Sequence, residues 1–310
     1  MMMLIRPIAC ALASAALLTS SPAASASRTP DAVAVVEGLA LPIPDAYADV
    51  VIAPNPVEAA LALGSWKTPL AGRAVVWADG SAPAWRAVAA DERGWFSDSV
   101  LAGCYLWTSL DAGRAAVMIL RAKGDEMVYV NGIPRAGNPY CLSDDREAWQ
   151  PDFDYSLLPV ELKKGRNELL FRCARGALKA ELFPPPKPVF LNERDATLPD
   201  VVAGKPIRTD GAIVVVNATA KPLRDLVVRA RIGGGKAVET AVPLVERLTV
   251  RKIRFSLAGS APEEPGAVEA QIELFRGKAP HLERLDGVSR ELRVVGSGAN
   301  RAETFVSSVD

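Results

Sequence analysis

Side chains that could carry out nucleophilic catalysis do not form a complete set in this sequence. A serine hydrolase needs a nucleophile, a base and an acid that orients the base. The single histidine, His281, lies in a stretch rich in proline and charge, and Gly296-Ser297-Gly298 lacks the second flank of a GxSxG turn. We therefore predict no catalytic residue, and a complete enzyme in this chain is the least favoured hypothesis. Whether a longer parent protein is an enzyme is left open.

Other chemical motifs are missing or unspecific. A glycosidase would use two carboxylates that can be distant in the chain, but each acidic residue here is equally typical of a turn or loop. The cysteines lack CxxC spacing, which makes a zinc site with the single histidine a poor candidate. No glycine-rich phosphate-binding motif occurs. We therefore expect no metal and no cofactor.

Aromatic side chains offer a better route to ligand binding. Three of them lie in predicted loops with polar neighbours, where their rings could stack on a sugar, and an arginine and an asparagine accompany one of these loops. Trp107 and Tyr105 lie on a predicted strand, and we assign them to packing. The alternative is that most of the aromatic residues fill a core. The candidate ligand-binding residues are Trp95, Arg135, Asn138, Tyr140 and Trp149.

The N-terminus predicts export. Residues 1–26 combine Arg6, an apolar run from Ile8 to Leu18 and the small residues Ala24-Ser25-Ala26, as in a secretory signal peptide. This run is shorter than the roughly 20 residues that span a bilayer. An uncleaved anchor is the less favoured alternative. We therefore predict a secreted or periplasmic protein with no other membrane association.

Export bears on the cysteines that would remain in the mature chain, Cys104, Cys141 and Cys173. An exported protein could pair two of them and leave one free thiol, with a pairing that the sequence does not define. Cys173 also alternates in phase with Leu169 and Phe171, which is typical of a buried small hydrophobic residue.

Charge excludes two classes of partner. The chain contains 36 basic and 36 acidic residues, so it has no electrostatic drive toward nucleic acid or an anionic membrane.

Short strands and turn signals predict an all-β protein. The Asn131-Gly132 pair permits positive φ at both positions, as a tight hairpin requires. About eight strands are expected over residues 66–183, the spacing of a jelly-roll β-sandwich. Clean period-two alternation over residues 189–298 predicts about seven more, in an immunoglobulin-like sandwich. The proline run in residues 184–188 is expected to link the two domains.

Two flanking segments complete the predicted organisation. Residues 27–65, rich in alanine and proline, are expected to be a leader packed onto the first domain. Residues 299–310 are interpreted as a frayed tail or as the lead-in to a further C-terminal domain.

Two turns carry a resemblance to a known family. Tyr129-Val130-Asn131-Gly132 and the later Leu162-Lys163-Lys164-Gly165-Arg166-Asn167 resemble the turns of galactose-binding-like jelly rolls attached to secreted bacterial hydrolases. The wider pattern is similar to the front half of large α/β-hydrolases of the prolyl-oligopeptidase or esterase type. This resemblance implies a catalytic domain that is absent from the present sequence, so it transfers no catalytic residue.

Three functional hypotheses follow. The first is a non-catalytic N-terminal region of a secreted serine hydrolase that positions or binds a polymeric substrate, with a C-terminal hydrolase domain as its partner. The second is a free-standing secreted carbohydrate-binding protein. The third is a structural β-sandwich protein of the cell surface.

Overall fold

The structure is a computed structural model in which residues 32–44, 55–135, 156–173, 176–278 and 280–296 are described. Asn138, Tyr140, Cys141 and Trp149 lie outside the described residues, as do the expected signal peptide and residues 299–310. Nearly all regular secondary structure in the described residues is β-strand, arranged in two successive sandwiches, so the predicted fold class is confirmed.

The first sandwich consists of a four-stranded sheet in the order β1-β10-β5-β8 and a six-stranded sheet in the order β3-β2-β4-β9-β6-β7. Every pairing in these two sheets is antiparallel. The strands are β1 (Val33–Ala34), β2 (Glu37–Pro42), β3 (Arg86–Ala89), β4 (Cys104–Ala112), β5 (Ala116–Lys123), β6 (Asp125–Val130), β7 (Ile133–Arg135), β8 (Leu158–Leu162), β9 (Gly165–Cys173) and β10 (Lys179–Phe183).

Alternation along the strands creates the core between these two sheets. Leu106 and Phe171 point inward from the six-stranded sheet, while Leu120 and Leu182 point inward from the four-stranded sheet. All four side chains are buried, and burying each one stabilises the fold by about 1.5–3 kcal/mol.

The segment expected to be a leader belongs partly to this sandwich. β1 pairs with β10 and β2 pairs with β3 and β4, so both sheets draw a strand from it. A short helix, α1 (Pro56–Ala62), follows. Its N-cap is Asn55, whose Oδ1 accepts hydrogen bonds from the backbone N–H groups of Val57 and Glu58.

The two turns that carry the family resemblance are joined to each other. Asn131 and Gly132 have φ values of 52° and 80°, which confirms the predicted hairpin between β6 and β7. Asn131 Nδ2 donates to Asn167 Oδ1 over 3.0 Å. Asn167 is fully buried, and its side-chain amide also donates to the carbonyls of Lys163 and Gly165 at 2.8 Å each. The motif pair is therefore one hydrogen-bonded unit that fixes both turns.

The second sandwich consists of a three-stranded sheet in the order β11-β13-β16 and a five-stranded sheet in the order β12-β18-β17-β14-β15. Its core contains Ile213, Phe255 and Ile272. β12 runs parallel to β18, and the other pairings are antiparallel. The strands are β11 (Val189–Thr197), β12 (Val201–Val202), β13 (Pro206–Asn217), β14 (Leu226–Ile232), β15 (Val238–Val242), β16 (Thr249–Ser260), β17 (Gly266–Lys278) and β18 (His281–Val295).

The two sandwiches share an apolar contact. Ile119 on β5 packs in a buried cluster with Phe190 on β11 and with Val214 and Val216 on β13. Phe183, the last residue of β10, packs against the same cluster. The proline-rich segment 184–188 contains no strand and lies between β10 and β11.

Candidate functional site

The face of the six-stranded sheet that points away from the first core, here called the outer face, carries an aromatic row. Strand register places Trp107 opposite Leu170, Leu170 opposite Tyr129, and Tyr129 opposite Pro134. These residues alternate with the core-facing set because successive side chains of a strand point to opposite faces. Trp107 and Leu170 are buried, Tyr129 is half-buried and Pro134 is exposed. The row therefore opens toward the β6–β7 hairpin.

A charged row flanks the aromatic row on one side. Arg172 Nη1 lies 3.2 Å from Glu58 Oε1, and Arg172 Nε lies 3.0 Å from Glu126 Oε2. The Tyr105 hydroxyl donates to Glu58 Oε1 over 2.7 Å and accepts from Asn55 Nδ2 over 2.8 Å. Between 21% and 37% of each of the three charged side chains is exposed, so they lie at the edge of solvent.

Burial and the neighbouring carboxylate keep both tyrosine hydroxyls protonated. Burial and the negative charge of Glu58 raise the pKa of Tyr129 to about 12. Burial and the hydrogen bond to Glu58 raise the pKa of Tyr105 well above its usual range. Burial would lower the pKa of Arg172, but Tyr105, Glu126 and Glu58 together raise it. At neutral pH this row therefore offers hydroxyl and guanidinium donors beside carboxylate acceptors.

A second charged row flanks the aromatic row on the other side. Glu168 accepts hydrogen bonds from Trp66 Nε1 over 3.2 Å and from the Thr68 hydroxyl. Burial opposes ionisation of Glu168, but the hydrogen bonds from Thr68 and Trp66 lower its pKa. The guanidinium of Arg166 lies 5.5 Å from the centre of the Trp107 ring. The aromatic row is thus bordered by groups that hydrogen-bond on both sides.

Helix α1 and the segment before β3 cover part of the outer face. Trp77 and Trp85 are buried there against Tyr105, Trp107 and Leu170. The rings of Trp66 and Trp85 meet edge to face, with their centres 6.3 Å apart. Most of these aromatic side chains are therefore packing residues, which confirms the assignment of Tyr105 and Trp107.

The structure separates two of the candidate residues. Trp95 lies in a turn held by Asp91, and its ring centre is 5.9 Å from the Lys179 ammonium on β10. Arg135 ends β7 and donates through Nη2 to the carbonyl of Pro159 on β8, over 2.9 Å. β10 and β8 lie on opposite sides of β5, so Trp95 and Arg135 do not share a site.

Sequence reasoning missed the residues that dominate the outer face. Glu58 belongs to the segment expected to be a leader, and Arg172 stands between Phe171 and Cys173, which point into the core. The available signal was the position of Arg172 one residue out of phase with a buried set on β9. Its partner Glu58 is 114 residues earlier in the chain, which no local pattern could reveal.

Cys104 and Cys173 are free thiols that lie directly opposite each other on β4 and β9. Both are buried in the first core, in agreement with the prediction of a small hydrophobic role for Cys173. A hydrogen bond with Cys104, together with burial, raises the pKa of Cys173. Such thiols react slowly because the thiolate is the nucleophile. A pairing that involves Cys141 stays a prediction.

In the described part of the chain, no helix is long and apolar enough to cross a membrane. Among the same residues, no group of three or more histidine, cysteine, aspartate or glutamate side chains is placed to hold a metal ion.

Comparisons with known proteins give only remote likenesses. No family model and no curated protein matches this chain. Among solved structures, a Bacteroides uniformis beta-glucuronidase is 9% identical with a TM-score of 0.33, over 84% of this chain and 32% of its own length. The C-terminal domain of wzt is 16% identical with a TM-score of 0.28, over 35% of this chain and 74% of its own length.

Red sea bream transglutaminase is 12% identical with a TM-score of 0.26, over 65% of this chain and 29% of its own length. The present chain thus spans about a third of the length of the glucuronidase and of the transglutaminase. At these TM-scores the likenesses carry no functional information.

Proposed function

We propose that this chain is a ligand-binding region of an exported protein and that its outer face binds a polymeric saccharide. The observation that carries the proposal is the accessible end of the aromatic row, formed by Tyr129 and Pro134, with Arg172, Glu126 and Glu58 on one side and Glu168 and Arg166 on the other. Sugar rings present C–H faces that stack on aromatic rings and hydroxyls that hydrogen-bond to carboxylates and guanidinium groups. Polar groups on both sides of this accessible end can hydrogen-bond to more than one sugar unit, which suits a chain of sugars better than a single ring.

Tyr129 provides the sharpest test because its ring lies at the open end of the row. Tyr129→Ala should reduce binding to glycans on an array by about fivefold or more, if stacking of a sugar on this ring contributes as much as stacking of a nucleobase on an aromatic side chain, about 1–3 kcal/mol. Tyr129→Phe keeps the ring and should retain most of the binding. Circular dichroism checks that both variants are folded. If the chain binds no glycan, or binds equally well with Ala at this position, the proposal is wrong.

Trp95 tests a separate, sequence-based hypothesis with the same array. Trp95 lies beside Lys179, away from the outer face, so Trp95→Ala should leave binding through that face unchanged. A loss of binding in Trp95→Ala with full binding in Tyr129→Ala would move the saccharide site to the Asp91–Trp95 turn.

The finer proposal is that the protein positions its substrate for a serine hydrolase domain encoded in the same gene. Its support is the resemblance of the two joined turns and the order of the two sandwiches. The downstream reading frame tests this point: a nucleophile turn and a catalytic histidine should follow residue 310. A stop codon directly after Asp310 would leave a free-standing binding protein. N-terminal sequencing of the mature protein tests export, with Ser27 as the expected first residue.

A further inference from the structure

A cleft separate from the outer face lies between the two sandwiches. Its volume is about 340 Å³, at the lower end of the range for small-molecule sites. The first sandwich contributes Asn131, Ile133 and Arg135 from the β6–β7 hairpin, together with Glu161 and Lys163 from β8 and the turn after it. The second sandwich contributes Arg247 and Leu248. A ligand here would contact both sandwiches.

Positive charge dominates the walls of the cleft. Arg135, Arg247 and Lys163 line it, and Glu161 is the opposing carboxylate among the described lining residues. Within the described ranges, no carboxylate lies within 4.0 Å of any of the three cationic groups. In contrast, Arg229, Arg254 and Arg276 of the second sandwich are each paired with an acid.

Arg135 is held in the cleft without a counter-charge. Its Nη2 donates to the carbonyls of Pro159 and Leu248, one in each sandwich. Its Nε is buried and has no hydrogen-bond partner among the described residues. Burial, and then the nearby charge of Arg247, lower the pKa of Arg135. Because the charges of Arg135 and Arg247 repel each other, an anion that enters the cleft would relieve the repulsion between the two guanidinium groups.

The backbone beside Arg247 is strained in a way that fits a binding site. Leu248 has a φ of 50°, although a leucine side chain disfavours the left-handed region. Its N–H donates to the carbonyl of Thr219 over 3.1 Å, and its carbonyl accepts from Arg135. Such strain persists only where the surroundings impose it, and it is concentrated at ligand sites. The turn thereby places Arg247 and Leu248 on the cleft.

We infer that this cleft binds a small organic carboxylate, about the size of one sugar ring or one amino acid. The planar guanidinium fork of Arg247 matches a carboxylate with two parallel hydrogen bonds. Ile133 and Leu248 offer apolar contact to a carbon skeleton, which an inorganic anion would not use. This inference does not depend on saccharide binding by the outer face.

Calorimetric titration of the whole chain with glucuronate, glucose and sodium sulfate at constant ionic strength tests the inference. Glucuronate should bind, while glucose, which has the same ring without the carboxylate, should bind at least about tenfold more weakly. Sulfate should also bind more weakly than glucuronate. If glucuronate does not bind, or if either comparison ligand binds equally well, the inference is overturned.

Variants locate the binding within the molecule. Arg247→Gln should weaken glucuronate binding by about tenfold or more, and Arg247→Lys should restore only part of it because the ammonium lacks the fork. Glu161→Gln should strengthen binding by removing a repulsive charge. Arg208→Gln is the matched control: Arg208 is also an exposed arginine of the second sandwich but does not line the cleft. Equal weakening in the Arg208 and Arg247 variants, with all of them folded, would overturn the inference.

Discussion

At the scale of single residues, Asp125 is unusual because its charged side chain is buried. This carboxyl group lies opposite Cys173 in the first core, and its Oδ1 has no hydrogen-bond partner among the described residues. Burial raises the pKa of Asp125 to about 6, although a backbone hydrogen bond opposes the shift. The folded protein thus retains a proton here that the unfolded chain releases near pH 4.

We predict a stability difference that depends on pH for Asp125→Asn. Because the folded-state pKa is raised, the stability that Asp125 contributes is present below pH 4 and is lost as pH rises from about 4 to about 6. The free energy of unfolding of the variant, relative to that of the native chain, should therefore increase across this window, by up to about 3 kcal/mol at the upper end. Urea unfolding at pH 4, 5, 6 and 7 measures the difference. A difference that is constant with pH would contradict the raised pKa.

At the scale of elements, the sequence predicted most of the strands and one hairpin correctly. Period-two alternation identified β14, β16 and β17, because each buries one face and exposes the other to solvent. The Asn131-Gly132 pair identified the β6–β7 hairpin, because few residues other than Gly and Asn tolerate positive φ. In contrast, the segment of β1 and β2 lacked a clear pattern. Its pairing with β10 and β4 is set by tertiary contacts.

The hairpin leads to a prediction about its glycine. Gly132→Val should lower the free energy of unfolding by about 1–2 kcal/mol, since a β-branched residue resists the φ of 80° at this position. Gly113→Val is the matched control: Gly113 has no positive φ, and an added Cβ there would meet no atom within 4 Å. Thermal unfolding compares the two. An unchanged melting temperature for Gly132→Val would argue against the hairpin geometry.

At the scale of the whole molecule, the cluster of Ile119, Phe190, Val214 and Val216 joins the two sandwiches. The sequence indicated a domain break at the proline run, but it gave no sign that an apolar residue on the far side of β5 contacts β13. The central residues of β5 are apolar on both faces. A pattern of this kind predicts that both faces are buried, but it does not identify the element that covers each face.

This contact should couple the unfolding of the two sandwiches. Ile119→Ala should cost about 2–5 kcal/mol and should split a single calorimetric transition into two, because the shared apolar contact is lost. Met118→Ala removes a neighbouring side chain that points into the first core instead. It should destabilise the first sandwich without weakening the contact between the sandwiches. Two transitions already present in the native chain would show that the contact does not couple them.

The β6–β7 hairpin also sets a limit on how this protein can evolve. Tyr129 on the outer face and Arg135 on the cleft belong to the same two strands, and Val128 is paired directly with Arg135. Val128 points into the core, so Arg135 beside it and Tyr129 are on opposite faces of the hairpin. Single substitutions can therefore adjust either proposed site without changing the other. A gain or loss of one residue within β6 would turn Tyr129 into the core and shift Arg135 out of register in a single event. Among homologous proteins that bind both ligands, this hairpin should vary in composition but keep its length.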